Sequence, residues 1–260
     1  YLPEKMKRLV EFIENTLERP IANRWYTDTG PILERDLAMQ AGLGWIGKNT
    51  CLIHPRLGSY FFLAEVLVSL EIEPDEPFTA DRCGSCRRCI EACPTGCILP
   101  DRTIDAARCL SYLTIENKGI IPPELRPALG NRIFGCDICQ EVCPWNQHAR
   151  PAQSAAELAP RAGMPHPNLI EEMRLSPEGF RQKFFGSPIL RAKRRGYLRN
   201  VAVALGNQPD STYLPVLSTV LEAEAEPLIR AHAAWAVKQI NHPSAAPILD
   251  KLRRVETDPL

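Results

Sequence analysis

Nine of the ten cysteines in this chain fall between Cys83 and Cys143. The first four in regular spacing, Cys83-x-x-Cys86-x-x-Cys89-x-x-x-Cys93-Pro94, form a ligand run for four-iron four-sulfur cubanes. In such a run three thiolates take three corners of one cubane and the fourth ligates a neighbouring cluster. A tetrahedral zinc site takes its ligands in two close pairs, so a triplet spaced by threes and closed by Cys-Pro points to iron and sulfide. The second run, Cys136-x-x-Cys139-x-x-x-Cys143-Pro144, carries Ile133 where a first cysteine would stand. Crossed ligation then assigns Cys83, Cys86, Cys89 and Cys143 to one cluster, and Cys93, Cys136, Cys139 and one more to the other. Cys109 opens a helical segment able to fold back and is preferred for that place over Cys97, which follows Cys93 after a tight Pro-Thr-Gly turn. Cys51 and Cys97 are then small buried apolar residues. Two cubanes that share their ligand runs form a wire for single electrons, and a wire needs a terminus that does chemistry.

Asp28, in Tyr26-Thr-Asp-Thr-Gly-Pro-Ile-Leu-Glu-Arg, stands at the end of a strand before a turn, where carboxylates often project into a cleft. The same place suits a turn or helix-capping Asp, and spacing alone favours that simpler role. Gly42-Leu-Gly-Trp-Ile-Gly-Lys48-Asn49 matches G-x-G-x-x-G and nearly matches the phosphate-binding G-x-x-x-x-G-K-[ST]. Those loops follow a strand and open a helix. Here a helix precedes and a strand follows, and Asn49 replaces the hydroxyl that would bind magnesium, so the glycines are expected to let backbone pass close to something bulky. Between Arg181 and Asn200 lie seven basic residues (Arg181, Lys183, Arg191, Lys193, Arg194, Arg195, Arg199), three aromatics (Phe184, Phe185, Tyr197) and no acid. A phosphate backbone would recognise such a patch; the competing reading is a solvated helix face.

The elements that must position these groups are mixed. Pro3 to Arg19 reads as an amphipathic helix with Met6, Leu9, Val10, Ile13 and Leu17 on one stripe. Arg24 to Thr27 reads as a short strand, Ile32 to Gln40 as a helix, and Thr50 to His54 and Ser59 to Ile72 as strands. Pro74-Asp-Glu-Pro77 is a linker. Past His148 the chain is Pro- and Ala-rich, then helical. Arg199-Asn-Val-Ala-Val-Ala-Leu-Gly realigns on Arg230-Ala-His-Ala-Ala-Trp-Ala-Val at a spacing of 31, and Pro215-Val-Leu on Pro247-Ile-Leu at 32. Helix pairs at that period read as HEAT-like repeats, with an ordinary bundle as the alternative. The expected fold class is α+β in three parts: residues 1–76 a mixed α/β domain, 77–150 a ferredoxin-like two-cluster domain, and 151–260 the helical repeats.

The 260 residues carry 31 Lys+Arg against 31 Asp+Glu and are 45% hydrophobic, which excludes a disordered chain and a globally basic nucleic-acid binder. The longest apolar candidate, Tyr60 to Leu70, is interrupted by Glu65 and falls short of the ~18 residues of a membrane span. Dense thiols favour a reducing cytoplasm. The chain opens at Tyr1 without a methionine or a signal-peptide pattern and is expected to be a fragment.

Taken together, the Asp28 motif, Ala41-Gly-Leu-Gly-Trp-Ile-Gly-Lys-Asn, the first cysteine run and Gly130-Asn-Arg-Ile-Phe-Gly-Cys-Asp-Ile-Cys-Gln-Glu-Val-Cys-Pro-Trp-Asn closely resemble the epoxyqueuosine reductase family along essentially the whole chain. The resemblance implies a monomeric cytoplasmic enzyme. It would reduce epoxyqueuosine to queuosine at the tRNA wobble position with cobalamin, two 4Fe-4S clusters and an external electron donor. It raises Asp28 to the general acid beside the cobalamin, protonating the oxygen that departs from the epoxide. It also implies cobalamin contacts at Asp28, Leu52, Leu63, Ser111, Cys136 and Asp137, mostly through backbone, and a tRNA surface at Lys118, Lys193, Arg194 and Arg195. It makes residues 1–76 part of the cobalamin-binding catalytic domain; family members extend further on the N-terminal side, so this chain is expected to bind the cofactor poorly. A cobalamin-dependent reductive dehalogenase and an iron-sulfur electron-carrier module are the competing readings; the first lacks a reason for the basic tail, and the second leaves Asp28 idle.

Overall fold

The computed structural model describes residues 1–149, 158–161, 163–164 and 166–258. They separate into two compact units, one of Tyr1–Cys93, Ile98–Ile104 and Ile138–Ala159, the other of Pro94–Cys97, Asp105–Asp137 and Pro160–Leu260.

In the first unit the amphipathic pattern forms the helix Leu2–Leu17, with Pro3 in its first turn where a missing N–H costs nothing. Only Val10 of its apolar stripe is buried, while Leu9, Phe12 and Leu17 remain exposed. Strand Asn23–Tyr26 pairs antiparallel with Glu65–Val68, with Tyr26 opposite Glu65 and Asn23 opposite Val68. The long strand expected over Ser59 to Ile72 is therefore four residues, because a ladder extends only as far as its partner. The partner ends in a turn at Asp28, whose φ is 61°, and on its other side Pro20 has no N–H to donate. The helix Glu34–Gln40 follows, then the hairpin of Trp45–Ile46 on Leu52–Ile53, then the short helix Arg88–Ala92, which packs on Ile138–Glu141. Trp45, Ile53 and Cys143 form a small core with Phe78, Cys83 and Trp145 around it.

The second unit is helical. Lys193–Gly206, Leu214–Ala223, Pro227–Ile240 and Ala245–Val255 make two successive helix pairs that match the two repeat copies. Lys193–Gly206 is buried on every side from Gly196 onward, as a helix in the middle of a stack must be. It packs on Pro227–Ile240 so closely at Gly206 that a Cβ there would lie 2.9 Å from the Cα of Ala236. A second core of Leu110, Leu113, Ile121, Leu125 and Leu129 joins the repeats through Val203. Among the described residues no helix is long and apolar enough to cross a membrane.

Candidate functional site

The glycine motif is a hairpin turn that grips the cysteine loop. A Cβ on Gly44 would sit 2.1 Å from the carbonyl oxygen of Ile53, so only glycine lets Trp45–Ile46 approach Leu52–Ile53. Lys48, the residue a phosphate loop would aim at its ligand, instead donates from Nζ to the carbonyl oxygens of Gly84 at 2.6 Å and Cys86 at 2.9 Å. Buried Asn49 accepts from the Cys51 N–H and donates to the Cys139 carbonyl oxygen at 3.3 Å. The turn thus spends its polar groups on the two cysteine runs. The Lys48 and Asn49 roles were hidden in the sequence; only the motif's wrong strand-helix order hinted at them.

Cys83, Cys86, Cys89 and Cys143 line one cavity of about 350 Å³, together with Lys48, Asn49 and Trp145 among others. The Cys86 N–H bonds back to the Cys83 carbonyl at 3.0 Å, and Asp81 Oδ1 accepts from the Cys83 N–H at 2.9 Å, which holds that carboxyl below the usual range. Among the described residues no three His, Cys, Asp or Glu side chains converge closely enough to hold a single ion. Four soft sulfur donors that surround a space fit the corners of a cubane. Burial pushes the Cys143 thiol up, and burial followed by the neighbouring Cys139 and Cys83 does the same to Cys89. A soft metal taken up by either thiol would have to displace that proton.

The remaining thiols divide between the units: Cys93 and Cys139 belong to the first, Cys97, Cys109 and Cys136 to the second. Cys109 is the N-cap of helix Leu110–Ile115, and Cys136 follows Gly135, whose φ of 75° needs glycine and whose N–H donates to Thr114 Oγ1 at 2.9 Å. Cys97 is buried and its carbonyl accepts from the Asp105 N–H; Cys51 is half-buried.

Asp28 is exposed on its left-handed turn. The neighbouring Thr27 Oγ1 donates to the Leu63 carbonyl oxygen at 2.9 Å, and the Asp28 N–H donates to a Glu34 carboxylate oxygen. Gly30 is required next to it, since a Cβ would lie 2.6 Å from the Tyr26 ring. Glu34 also faces Glu65, whose carboxyl is pushed up by burial first and by Glu34 second. Glu34 stands within the Asp28 motif, but nothing in its residue type or spacing marks it as the partner of the Asp28 backbone. Leu52 is buried and Leu63 half-buried in the same unit. Ser111, Cys136 and Asp137 lie in the second unit.

The basic stretch is largely answered by acids, three of them from other helices and one, Glu178, from the same helix. Lys183 pairs with Glu172, Arg191 with Glu116, Arg181 with Glu178, and Arg194 makes a fork to Glu224 at 3.2 and 2.6 Å. Arg199 has no exposed surface. Lys193 and Arg195 are exposed, Arg195 donating to the Lys118 carbonyl at 3.1 Å, while Lys118 Nζ donates to the carbonyls of Ile115 and Arg191.

Residues 82–146 match the model of a 4Fe-4S double cluster binding domain, and residues 188–260 match HEAT repeats. The chain is thus an α+β iron-sulfur protein that carries a double-cluster domain and a HEAT tail. It is 43% identical over 238 residues to an epoxyqueuosine reductase of Pseudomonas aeruginosa, covering 91% of this chain and 65% of that one. Its fold is similar to a crystal structure of epoxyqueuosine reductase with a tRNA-Tyr epoxyqueuosine-modified stem loop, at TM-score 0.92 and 36% identity, covering 99% of this chain and 68% of that one. It is also similar to the Bacillus subtilis epoxyqueuosine reductase with its catalytic aspartate loop swung out of the active site, at TM-score 0.90, 36% identity, and coverage of 99% and 68%. The chain belongs to the epoxyqueuosine reductase family. It spans slightly less than two thirds of the curated relative's length.

Proposed function

We propose that the protein reduces epoxyqueuosine to queuosine at the wobble position of tRNA, as a cytoplasmic monomer fed by an external one-electron donor. The observation that carries this is the lining of one cavity by Cys83, Cys86, Cys89 and Cys143 in a chain of this family. Those four hold one 4Fe-4S cluster, and Cys93, Cys109, Cys136 and Cys139 hold the other. The functional parts run over residues 1–76, 77–150 and 151–260. Cobalamin, when bound, supplies a reduced cobalt centre to the epoxide carbon. Asp28, exposed on a turn braced by Glu34, protonates the departing oxygen, a reading supported by the catalytic aspartate loop of the Bacillus subtilis relative. The net change is two electrons and two protons taken up and one water lost, restoring the cyclopentene. Asp28, Leu52, Leu63, Ser111, Cys136 and Asp137 form the cofactor surface. Leu63 suits it because Thr27 ties its backbone to the Asp28 turn. The tRNA backbone meets Lys118, Lys193, Arg194 and Arg195; since Glu224 already neutralises Arg194, the exposed Lys193 and Arg195 supply most of the attraction.

Incubating the iron-, sulfide- and cobalamin-loaded protein with epoxyqueuosine-bearing tRNA and a low-potential reductant tests the proposal. Queuosine appears in the nucleoside digest. If none forms while electrons still reach an artificial acceptor, the protein is an electron carrier.

A further inference from the structure

We propose that Trp45 and Lys48 tune the cluster held by Cys83, Cys86, Cys89 and Cys143, raising its reduction potential; this rests on the reading of those four thiols as its ligands. Trp45 is 3% exposed, with its ring stacked on Phe78 at 5.7 Å and set edge-on to Trp145 at 4.8 Å. A buried indole N–H needs an acceptor, and the one it meets is Cys83 Sγ at 3.4 Å. A neutral thiol accepts weakly, whereas an iron-bound thiolate carries negative charge and accepts well. A phenylalanine would fill the same aromatic slot, so the N–H is what tryptophan adds.

Lys48 acts on the same loop. Its ammonium, fixed by the Gly84 and Cys86 carbonyl oxygens, places a positive charge beside the cavity that all four thiols line. Reduction adds one electron from the external donor and breaks no bond, so the reduced cluster carries one more negative charge than the oxidised one. An N–H dipole on sulfur and a nearby cation both stabilise that extra charge, and hydrogen bonds to the sulfurs are established determinants of cluster potential. The glycine motif thereby has a use: its tight hairpin delivers one donor and one cation to the edge of the cavity.

The test is a reductive titration of the two-cluster protein followed by electron paramagnetic resonance, with the other cluster as internal reference. Trp45→Phe retains both clusters and makes reduction of this one about tenfold less favourable, roughly 59 mV for a one-electron couple, while the reference cluster does not move. Lys48→Met shifts it in the same direction. Should Trp45→Phe lose the cluster, resonance Raman of the unaltered protein decides: the Fe–S(Cys) bands shift between H₂O and D₂O if an exchangeable N–H sits on the thiolate. An unmoved potential with the cluster retained, or Fe–S(Cys) bands insensitive to deuteration, overturns the proposal. Failure of the underlying ligand assignment shows separately, as Cys83→Ala retaining the iron of both clusters.

Discussion

Arg199, fully buried in the first repeat helix, donates from Nη2 to the carbonyl oxygen of Leu113 at 2.6 Å. Leu113 lies in the last turn of helix Leu110–Ile115, where carbonyls lack helical partners and a cation meets the negative end of the dipole. The same guanidinium satisfies the carbonyls of Asn117 and Gly119, and the adjacent Asn200 donates to those of Thr114 and Ile133. The repeat helix thereby holds both ends of the segment that begins at Cys109 and closes near Cys136.

Replacing Arg199 by leucine leaves the buried Leu113 carbonyl oxygen without its donor and removes two further bonds, to the half-buried Asn117 and the exposed Gly119. Leaving a buried acceptor unsatisfied costs about 1–3 kcal/mol, and urea denaturation will show a midpoint lowered accordingly. Arg181→Leu, which removes an exposed pair, changes stability by less than about 1 kcal/mol.

Acid will loosen the repeats through His232. Its Nε2 accepts from the Ile121 N–H at 3.2 Å and its Nδ1 bonds the Leu228 carbonyl at 2.8 Å, so the folded site is built for neutral imidazole. Burial, aided by Arg126 and Arg199, pushes its pKa down from 6.5 to about 3. Below pH 6.5 the unfolded chain binds a proton that the folded chain refuses, so stability present at neutral pH is lost as pH falls from 6.5 toward 3. The slope approaches about 1.4 kcal/mol per pH unit. Denaturation at pH 7, 6 and 5 measures it, and His232→Gln removes most of the slope in that interval.

Iron analysis separates the two candidates for the last ligand. Cys109→Ala loses about one cluster's iron, and Cys97→Ala, a conservative change in a packed core, retains both. The reverse result would reassign the second cluster.

Asp28→Asn keeps the turn, because asparagine tolerates a φ of 61° nearly as well as aspartate, and it keeps the backbone bond to Glu34. Both clusters and cofactor binding persist while queuosine formation falls by about 10²-fold or more, the usual scale for removing a general acid. Undiminished turnover would remove Asp28 from the chemistry.

Several of these features were legible from spacing alone. The cysteine run is a local signal, because three thiolates of one cubane come from one short loop and their separations are set by the loop itself. The repeat was equally plain, since each helix pair buries the same kind of face at the same period of about 31 residues. The order of helix first and strand after about Gly42 is the one the fold has.

Other features depended on residues far apart in the chain. Strand Glu65–Val68 is short because its partner turns at Asp28, and no property of residues 59–72 states where a partner stops. The stretch from Arg181 to Asn200 holds no acid, yet Glu116, Glu172 and Glu224 arrive from other helices to pair with it. Charge counted along a sequence therefore overstated the free positive surface. Trp45 and Lys48 meet the cysteine loop across 38 and 36 residues respectively. What the sequence by itself determined was the inventory of thiols, the carboxylate at a turn and the helical repeat, all encoded within one loop or one period. What only the tertiary structure decided was which buried donor and which cation stand beside which sulfur, because those pairings are made by packing between segments that carry no mark of each other.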